Sequence, residues 1–262
     1  NFRKKGFSKE HRPNPIVQMG LAVDRQGIPI TYRLFKGNTH DSQTLMPALK
    51  AIKKQYKTKR IIVVADKGLN SGDNIAYNTV LGDGYIYSKS VRGASEKFKS
   101  YVLNDKGYTW IGNEYKRKSR IIPTKINVTV GKYKNGKNKK KKFKINQKQV
   151  IFYSQKYAER SKKQREKVIA KAIDLIANPS KYQKTTCYGA AGYVGNIKFD
   201  KKTGEILNIG NKLFLDEQKI KKDAQLDGYY AIVTSELDES DDRIIELYRG
   251  LWRIEESFKI TK

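Results

Sequence analysis

The stretch Arg60-Ile-Ile-Val-Val-Ala-Asp66-Lys-Gly-Leu-Asn-Ser71 decides the fold prediction. Residues 61–65 form an unbroken apolar run rich in β-branched side chains, which predicts a strand buried on both faces of a partly parallel sheet. Asp66 ends this strand and precedes a glycine-containing loop and a predicted helix. Open α/β sheets bind their ligands at the carboxyl ends of strands, so Asp66 is a candidate site residue. The alternative is that it only caps the next helix.

A second acidic candidate lies in the predicted helix between residues 242 and 262. At about 100° per residue, its apolar side chains form one narrow stripe, typical of an amphipathic helix packed on a core; they are Ile244, Leu247, Leu251, Ile254 and Phe258. Tyr248, Glu255 and Lys262 recur every seven residues along one flank of that stripe. Glu255 is therefore expected at the edge of the buried face, although a surface helix with scattered charges would give a similar pattern.

The spacing of Tyr248, Glu255 and Lys262 resembles the signature of DDE-type bacterial insertion-sequence transposases, in particular the large family numbered four. That signature has an arginine three residues after its tyrosine, where this chain has Leu251. Arg253 lies nearby, but on the other side of the predicted helix. The departure leaves the role of the signature arginine without an assigned residue.

Further segments are similar to the same family. They are Val-Val-Ala-Asp-Lys-Gly-Leu-Asn-Ser around Asp66, residues 9–21, and Gly-Asn-Thr-His-Asp-Ser at residues 37–42. The resemblance therefore extends over nearly the whole chain. From the chain alone, Asp41 in the last segment is expected to cap the helix that follows it.

The resemblance implies that Asp66 and Glu255 are catalytic and bind Mg²⁺ or Mn²⁺. Carboxylate oxygens suit these hard cations, and two such ions roughly 3.5–4 Å apart can assist an in-line displacement at phosphorus. Acidic residues without neighbouring histidine or cysteine argue against zinc. Tyr248 and Lys262 would contact strand phosphates, with Lys262 acting as a point charge.

The charge balance favours a polyanionic partner. The chain has 55 Lys and Arg against 26 Asp and Glu, a formal net charge of +29, and residues 85–165 hold 24 of the basic residues and 4 of the acidic ones. Such a basic patch is typical of nucleic-acid binding. Lys139, Lys140 and Lys141, together with Arg253, are candidate contacts to double-stranded DNA at element ends and targets, although a lysine-rich hairpin tip in solvent is the plain alternative.

The order of predicted elements indicates an α/β fold with a ribonuclease H-like core, a mixed sheet flanked by helices. Residues 1–88 would form the first part of this core, lacking its first strand, and residues 228–262 its last part with the Glu255 helix. Between them, residues 89–227 form a basic β-rich insertion with one helix. The resemblance places the first catalytic aspartate on the missing strand, outside this chain, so a fragment of these 262 residues is expected to be inactive alone.

Several strands are predicted from alternating apolar residues. Residues 16–23 and 28–35 form a hairpin, residues 125–133 and 141–153 form a second, and residues 229–234 form a buried strand. Residues 188–200 and 206–214 are weaker strand predictions. A basic helix is expected over residues 157–177, ended by Asn178 and Pro179.

Composition also bounds the cellular setting. Cys187 is the only cysteine, which excludes a disulfide framework and a cysteine zinc cluster. No run approaches the 18 or so apolar residues of a membrane span. These features predict a cytoplasmic protein with no membrane partner. The resemblance implies a bacterial, nucleoid-associated protein that is a homodimer in the active complex.

Two rival functions fit the same residues. A metal-dependent nuclease or resolvase on the same core would cut DNA without strand transfer. A non-catalytic basic DNA-binding protein would use its carboxylates only for structure.

Overall fold

The computed structural model describes residues 2–6, 14–24, 26, 28–187, 189–207 and 212–252. The chain divides into two compact units. The first comprises residues 1–90, 118–151 and 231–262, and the second comprises residues 91–117 and 152–230. The domain boundaries at residues 88 and 227 remain a prediction. Residues 118–151, which were expected in the insertion, group with the first unit.

The first unit begins with an antiparallel hairpin of β1 (Val17–Val23) and β2 (Pro29–Lys36), which forms a two-stranded sheet of its own. Its turn is held by Asp24, whose Oδ1 accepts hydrogen bonds from the backbone N–H groups of Gln26 and Ile28. The hairpin predicted over residues 16–23 and 28–35 is confirmed.

The strand predicted from the apolar run is β3 (Ile62–Ala65), which pairs in parallel with β4 (Gly84–Lys89). Helices α1 (Leu45–Tyr56) and α2 (Gly72–Val80) precede and follow β3. Their apolar faces pack with the two strands into one core, whose buried members include Leu49, Ile75, Val63, Tyr85 and Tyr87. The strand is where the sequence predicted it, but the prediction that it is buried on both faces is wrong. Val63 and Ala65 are buried on one face, whereas Ile62 is exposed and Val64 half-buried on the other, and β3 is the edge strand of its sheet.

Three further strands extend this sheet: β10 (Tyr229–Thr234), β7 (Asn138–Ser154) and β6 (Tyr115–Lys132). With β5 (Thr109–Ile111) paired to the start of β6, the six-stranded order is β3-β4-β10-β7-β6-β5. Parallel and antiparallel pairs both occur, since β4 runs antiparallel to β10. A mixed sheet flanked by helices confirms the predicted fold class, an α/β fold consistent with a ribonuclease H-like core.

Strands β6 and β7 are longer than the sequence indicated. They are joined by a tight turn in which Tyr133 and Lys137 are hydrogen bonded through their backbones. We call the residues from Lys125 to Ile145 the β6–β7 arm. Residues 130–144 of this arm are exposed on both faces.

The second unit contains α3 (Glu96–Leu103), α4 (Gln155–Ala177) and α5 (Glu217–Ala224). Its core lies on one face of α4, where Ala172 and Leu175 are fully buried with Cys187 and Ala190. The predicted basic helix over residues 157–177 is confirmed. Strand β5 and helices α3 and α5 were not predicted.

The weaker strands predicted over residues 188–200 and 206–214 are wrong for the residues that the structure describes. A 3₁₀ helix occupies Ala190–Tyr193, and pairing there is limited to the two-residue strands β8 (Val194–Gly195) and β9 (Phe214–Leu215) and to an isolated antiparallel bridge between Phe199 and Ile206. The apolar residues that suggested longer strands, including Ile197, Phe199 and Ile206, pack around the core on α4.

The last described helix, α6 (Asp241–Arg249), is capped by the Ser240 hydroxyl and packs against β3 and β4. Its first turn is fixed to β7, because the half-buried Asp241 forms an ion pair of 2.9 Å with Lys148 Nζ. Gly250 and Leu251 form a turn after the helix. Among the helices of the described ranges, none combines the length and apolar character that a bilayer crossing needs.

Candidate active site

Asp66 lies exposed at the carboxyl end of β3, as the sequence predicted. Its Oδ1 accepts a hydrogen bond of 2.9 Å from the Gly68 backbone N–H. Its Oδ2 has no hydrogen-bond partner among the described residues, which leaves one carboxylate oxygen available to a ligand. Asp66 does not cap α2, because the hydroxyl of Ser71 fills that position and accepts from the Asn74 N–H.

The loop that carries Asp66 is held by two side-chain hydrogen bonds. The Asn74 side chain, which is fully buried, donates to the Leu69 carbonyl at 2.9 Å. The Asn70 side chain donates to the carbonyl of Ser88 at 2.9 Å. These bonds tie the loop to α2 and to the carboxyl end of β4, so the Asp66 carboxylate is held by a rigid support.

A second carboxylate, that of Asp41, lies beside Asp66. A Cβ built on Gly68 would be 3.1 Å from Asp66 Oδ1 and 3.4 Å from Asp41 Oδ2, so both acidic side chains border this glycine. The prediction that Asp41 caps the next helix is wrong. Thr44 occupies that position, while Asp41 Oδ1 accepts from Gln18 Nε2 at 3.2 Å.

Gln18 brings a further oxygen to this neighbourhood from β1. Its Nε2 is used by Asp41, while its Oε1 is buried and has no hydrogen-bond partner among the described residues. An orphaned buried acceptor is costly unless a donor or a cation satisfies it. No local sequence pattern marks Gln18, because its approach to Asp41 depends on the placement of the β1–β2 hairpin.

The donors around Asp66 fit a magnesium or manganese ion in their chemistry. Asp66, Asp41 and Gln18 offer only oxygen atoms, which hard divalent cations prefer over the nitrogen and sulfur ligands of zinc. One oxygen of Asp66 and one of Gln18 are without a described donor. Within the described ranges, no group of three or more His, Cys, Asp or Glu side chains could hold a metal ion, so a complete site needs a further ligand.

Lys89, at the carboxyl end of β4, is another charged group at this edge of the sheet. Burial lowers the pKa of its ammonium group, as expected when a cation is removed from water. A lysine that ends a strand has no distinctive spacing, so no sequence signal identifies Lys89 as a site residue.

The β6–β7 arm is joined directly to the helix that follows Asp66. Asp73, in the first turn of α2, accepts hydrogen bonds from Thr129 N–H at 2.6 Å and from Thr129 Oγ1 at 3.0 Å. Next to it, a Cβ on Gly72 would lie 2.1 Å from the Asn127 carbonyl oxygen, so only glycine allows this approach. We call this contact between α2 and β6 the α2–arm junction.

The predicted DNA contacts Lys139, Lys140 and Lys141 lie at the start of β7, in the outer part of the arm, and are exposed. Phe143 and Tyr133, also in this part of the arm, are 43% and 53% exposed. The arrangement presents cations and flat aromatic rings to solvent, which suits contact with phosphates and bases. Whether these residues bind DNA stays a prediction.

The predicted residues of the C-terminal helix divide into two groups. Tyr248 is half-buried in the last turn of α6. Arg253, Glu255 and Lys262 lie outside the described residues. The pairing of Glu255 with Asp66 is therefore still a prediction, as is the single flank shared with Tyr248.

The sequence comparisons give one family. A family described as "Transposase DDE domain" matches residues 2–262, which is nearly the whole chain. A search of the curated proteins found no match. The matched range includes β3, the loop after it and the C-terminal segment with Glu255.

Proposed function

The chain belongs to the transposase DDE domain family, and we propose that it is the catalytic domain of a bacterial insertion-sequence transposase of the family numbered four. The family match over residues 2–262 is the observation that carries the proposal. The enzyme cleaves a DNA strand at the element's end and transfers that end to target DNA. Asp66 on a hydrogen-bonded loop at the carboxyl end of β3 agrees with this role.

Asp66 and Glu255 are the proposed ligands of Mg²⁺ or Mn²⁺. When bound, the metal polarises phosphate oxygens and assists both the attacking and the leaving oxygen. Asp66 suits this task because its Oδ1 is fixed by Gly68, while Oδ2 lacks a described donor. Packing of α6 against β3 supports the pairing, since Glu255 follows α6 in the chain.

The chemistry consists of two displacements at phosphorus. In the first, a water oxygen attacks the phosphodiester at the element's end, the bond to the 3′-oxygen breaks, and a 3′-hydroxyl and a 5′-phosphate are left. In the second, that 3′-hydroxyl loses its proton and attacks a target phosphodiester, whose own 3′-oxygen leaves. The residues of this chain hold the strands in line for these steps, which is the main task of the protein in phosphoryl transfer.

DNA contact is assigned to two sets of residues. Tyr248, Arg253 and Lys262 would bind the strand near Glu255, and the arm lysines at 139–141 would bind more remote phosphates. The net charge of +29 supports a polyanionic partner. We assign the enzyme to the bacterial cytoplasm, associated with the nucleoid, and propose that a homodimer holds the two element ends.

A strand-transfer assay tests the proposal. The protein translated from the complete reading frame is incubated with Mg²⁺, labelled duplexes carrying the element ends and a plasmid target. Joined products are expected with the wild type and are lost with Asp66→Asn and with Glu255→Gln, while DNA affinity stays within about twofold because the charge at one site is a small part of the total.

The same assay separates the rival functions. Cleaved ends without joined DNA would favour the nuclease or resolvase. DNA binding without either product, and unchanged by Asp66→Asn, would favour the non-catalytic DNA-binding protein and would sink the transposase proposal.

A further inference from the structure

Helix α4 carries a row of exposed cations that the proposed active site does not use. Lys156, Arg160, Lys163 and Lys167 are spaced by four, three and four residues, and all four are exposed. At about 100° per residue they fall within a sector of about 60°. We call these four residues the α4 basic stripe; at about 1.5 Å per residue it is about 16 Å long.

The opposite side of the helix is anchored in the core of the second unit. Val168, Ala172 and Leu175 pack there with Cys187 and Tyr193. A helix buried on this side points its other face into solvent, and the α4 basic stripe occupies that face. The packing of α4 in the core of this unit therefore determines which way the α4 basic stripe faces.

The stripe cations lack local neutralisation. None of the four makes an ion pair or a hydrogen bond through its side chain with a described residue. Arg165 shows the contrast, because it lies near the packed side and pairs with Asp227. The nearest acidic side chains on the helix, Glu159 and Glu166, lie about 70° and 90° from the centre of the stripe. Both are three or four residues from a stripe lysine, but neither pairs with one in the described structure. Four unpaired cations on one straight face are costly by self-repulsion and are stabilised by a polyanion.

We propose that the α4 basic stripe binds the phosphate backbone of double-stranded DNA, in addition to the DNA contacts proposed for the β6–β7 arm and for Tyr248, Arg253 and Lys262. The inference rests on the proposed function for the identity of the polyanion. Duplex DNA carries one negative charge per about 1.7 Å of axis, so about 16 Å of helix covers about five base pairs. All four side chains of the stripe are cations, and the exposed amide of Gln164 lies about 40° beyond its edge, so we expect phosphate contacts that do not depend on base sequence.

A lipid surface does not fit this helix. Membrane-surface helices bury an apolar face between the acyl chains, whereas the apolar face of α4 is occupied by the protein core. The stripe therefore has charge but no accompanying free apolar face. Duplex RNA has the same backbone charge and is included in the test as a competitor.

The test measures DNA affinity against salt concentration for three proteins. The stripe variant carries Lys156→Gln, Arg160→Gln, Lys163→Gln and Lys167→Gln. The control carries Lys97→Gln, Lys162→Gln, Lys219→Gln and Lys222→Gln, which remove the same charge from exposed positions off the stripe. Exposed glutamines suit helices, and circular dichroism checks that both variants fold. Fluorescence anisotropy uses an element-end duplex, an unrelated duplex and a duplex RNA.

Each phosphate contact contributes about 0.9 to the slope of log affinity against log salt. The stripe variant is expected to have a slope shallower by about 3–4 and an affinity at least about tenfold weaker at low salt, equally for both DNA duplexes. The control should change the slope by less than about 1. Equal losses in the two variants, a loss confined to the element-end duplex, or preference for RNA would overturn the inference. Absence of DNA binding by the wild type would instead overturn the proposed function on which it rests.

Discussion

Removing the carboxylate of Asp73 should detach the β6–β7 arm from the helix next to Asp66. In the α2–arm junction, this carboxylate accepts bonds from Thr129 N–H at 2.6 Å and Oγ1 at 3.0 Å. A hydrogen bond to a charged group contributes about 1.5–3 kcal/mol, and an acidic residue in a first helical turn adds about 0.3–1 kcal/mol. Asp73→Ala should therefore lower the free energy of unfolding by about 2–4 kcal/mol.

Urea unfolding followed by circular dichroism measures this loss. Glu217→Ala is the matched control, because Glu217 is also acidic and in a first helical turn but is exposed and has no described side-chain partner. It should cost no more than about 1 kcal/mol. In a double-mutant cycle, Asp73→Ala and Thr129→Val should couple by about 0.5–3 kcal/mol. If Asp73→Ala costs no more than Glu217→Ala, or if the two junction changes are additive, the junction does not hold the arm.

Three further changes test other parts of the account. Gly72→Ala should destabilise the protein by about 2 kcal/mol or more in urea unfolding, since the new Cβ would lie 2.1 Å from a backbone oxygen of β6. Gly192→Ala is the control and should change stability little, because no atom lies within 4 Å of its new Cβ. Burial raises the pKa of Tyr85 to about 12. The neutral Tyr85 phenol therefore stabilises the folded state fully below about pH 10, and this stabilisation is lost as the pH rises towards about 12. Tyr85→Phe should flatten that part of the pH profile of the free energy of unfolding, and an unchanged profile would contradict the assignment. Replacing the lysines at 139–141 by glutamine should leave stability within about 0.5 kcal/mol and make the salt slope of DNA binding shallower by about 2–3; an unchanged slope would mean that the arm tip stays in solvent.

Much of the core was predictable because its signals are local. The β-branched run at 61–65 predicts a strand without tertiary information, although its edge position and one exposed face were not foreseen. The basic helix over residues 157–177 was expected to end at Asn178 and Pro179, and α4 ends there. The position of Asp66 followed from the end of that strand. These elements agree between sequence and structure because burial and local preference favour the same conformation.

The early part of β6 was missed because charge obscures its pattern. Lys116 is 6% exposed and Lys118 is 4% exposed, so two inward positions of the strand carry cations. Lys116 is held by an ion pair with Asp105 and lies 4.5 Å from the ring centroid of Tyr108 and 5.1 Å from that of Trp110. Buried lysines are rare, so no rule of alternating apolar residues finds such a strand.

The neighbours of Asp66 could not be predicted, because they come from separate parts of the chain. Asp41 belongs to the loop before α1 and Gln18 to β1, and only the folded chain brings them together. Sequence similarity at residues 37–42 marked the segment containing Asp41 but not its contact with the Asp66 loop. A helix cap was the local expectation, and the tertiary contact with Gln18 took its place.

Anomalous diffraction from crystals grown with Mn²⁺ would test most directly whether residues 66 and 255 share a cation. The account predicts a peak about 2–2.3 Å from a carboxylate oxygen of each residue, the distance range of oxygen ligands to a hard divalent ion. A map in which Glu255 lies on a different surface from Asp66, or in which no manganese contacts Asp66, would contradict it.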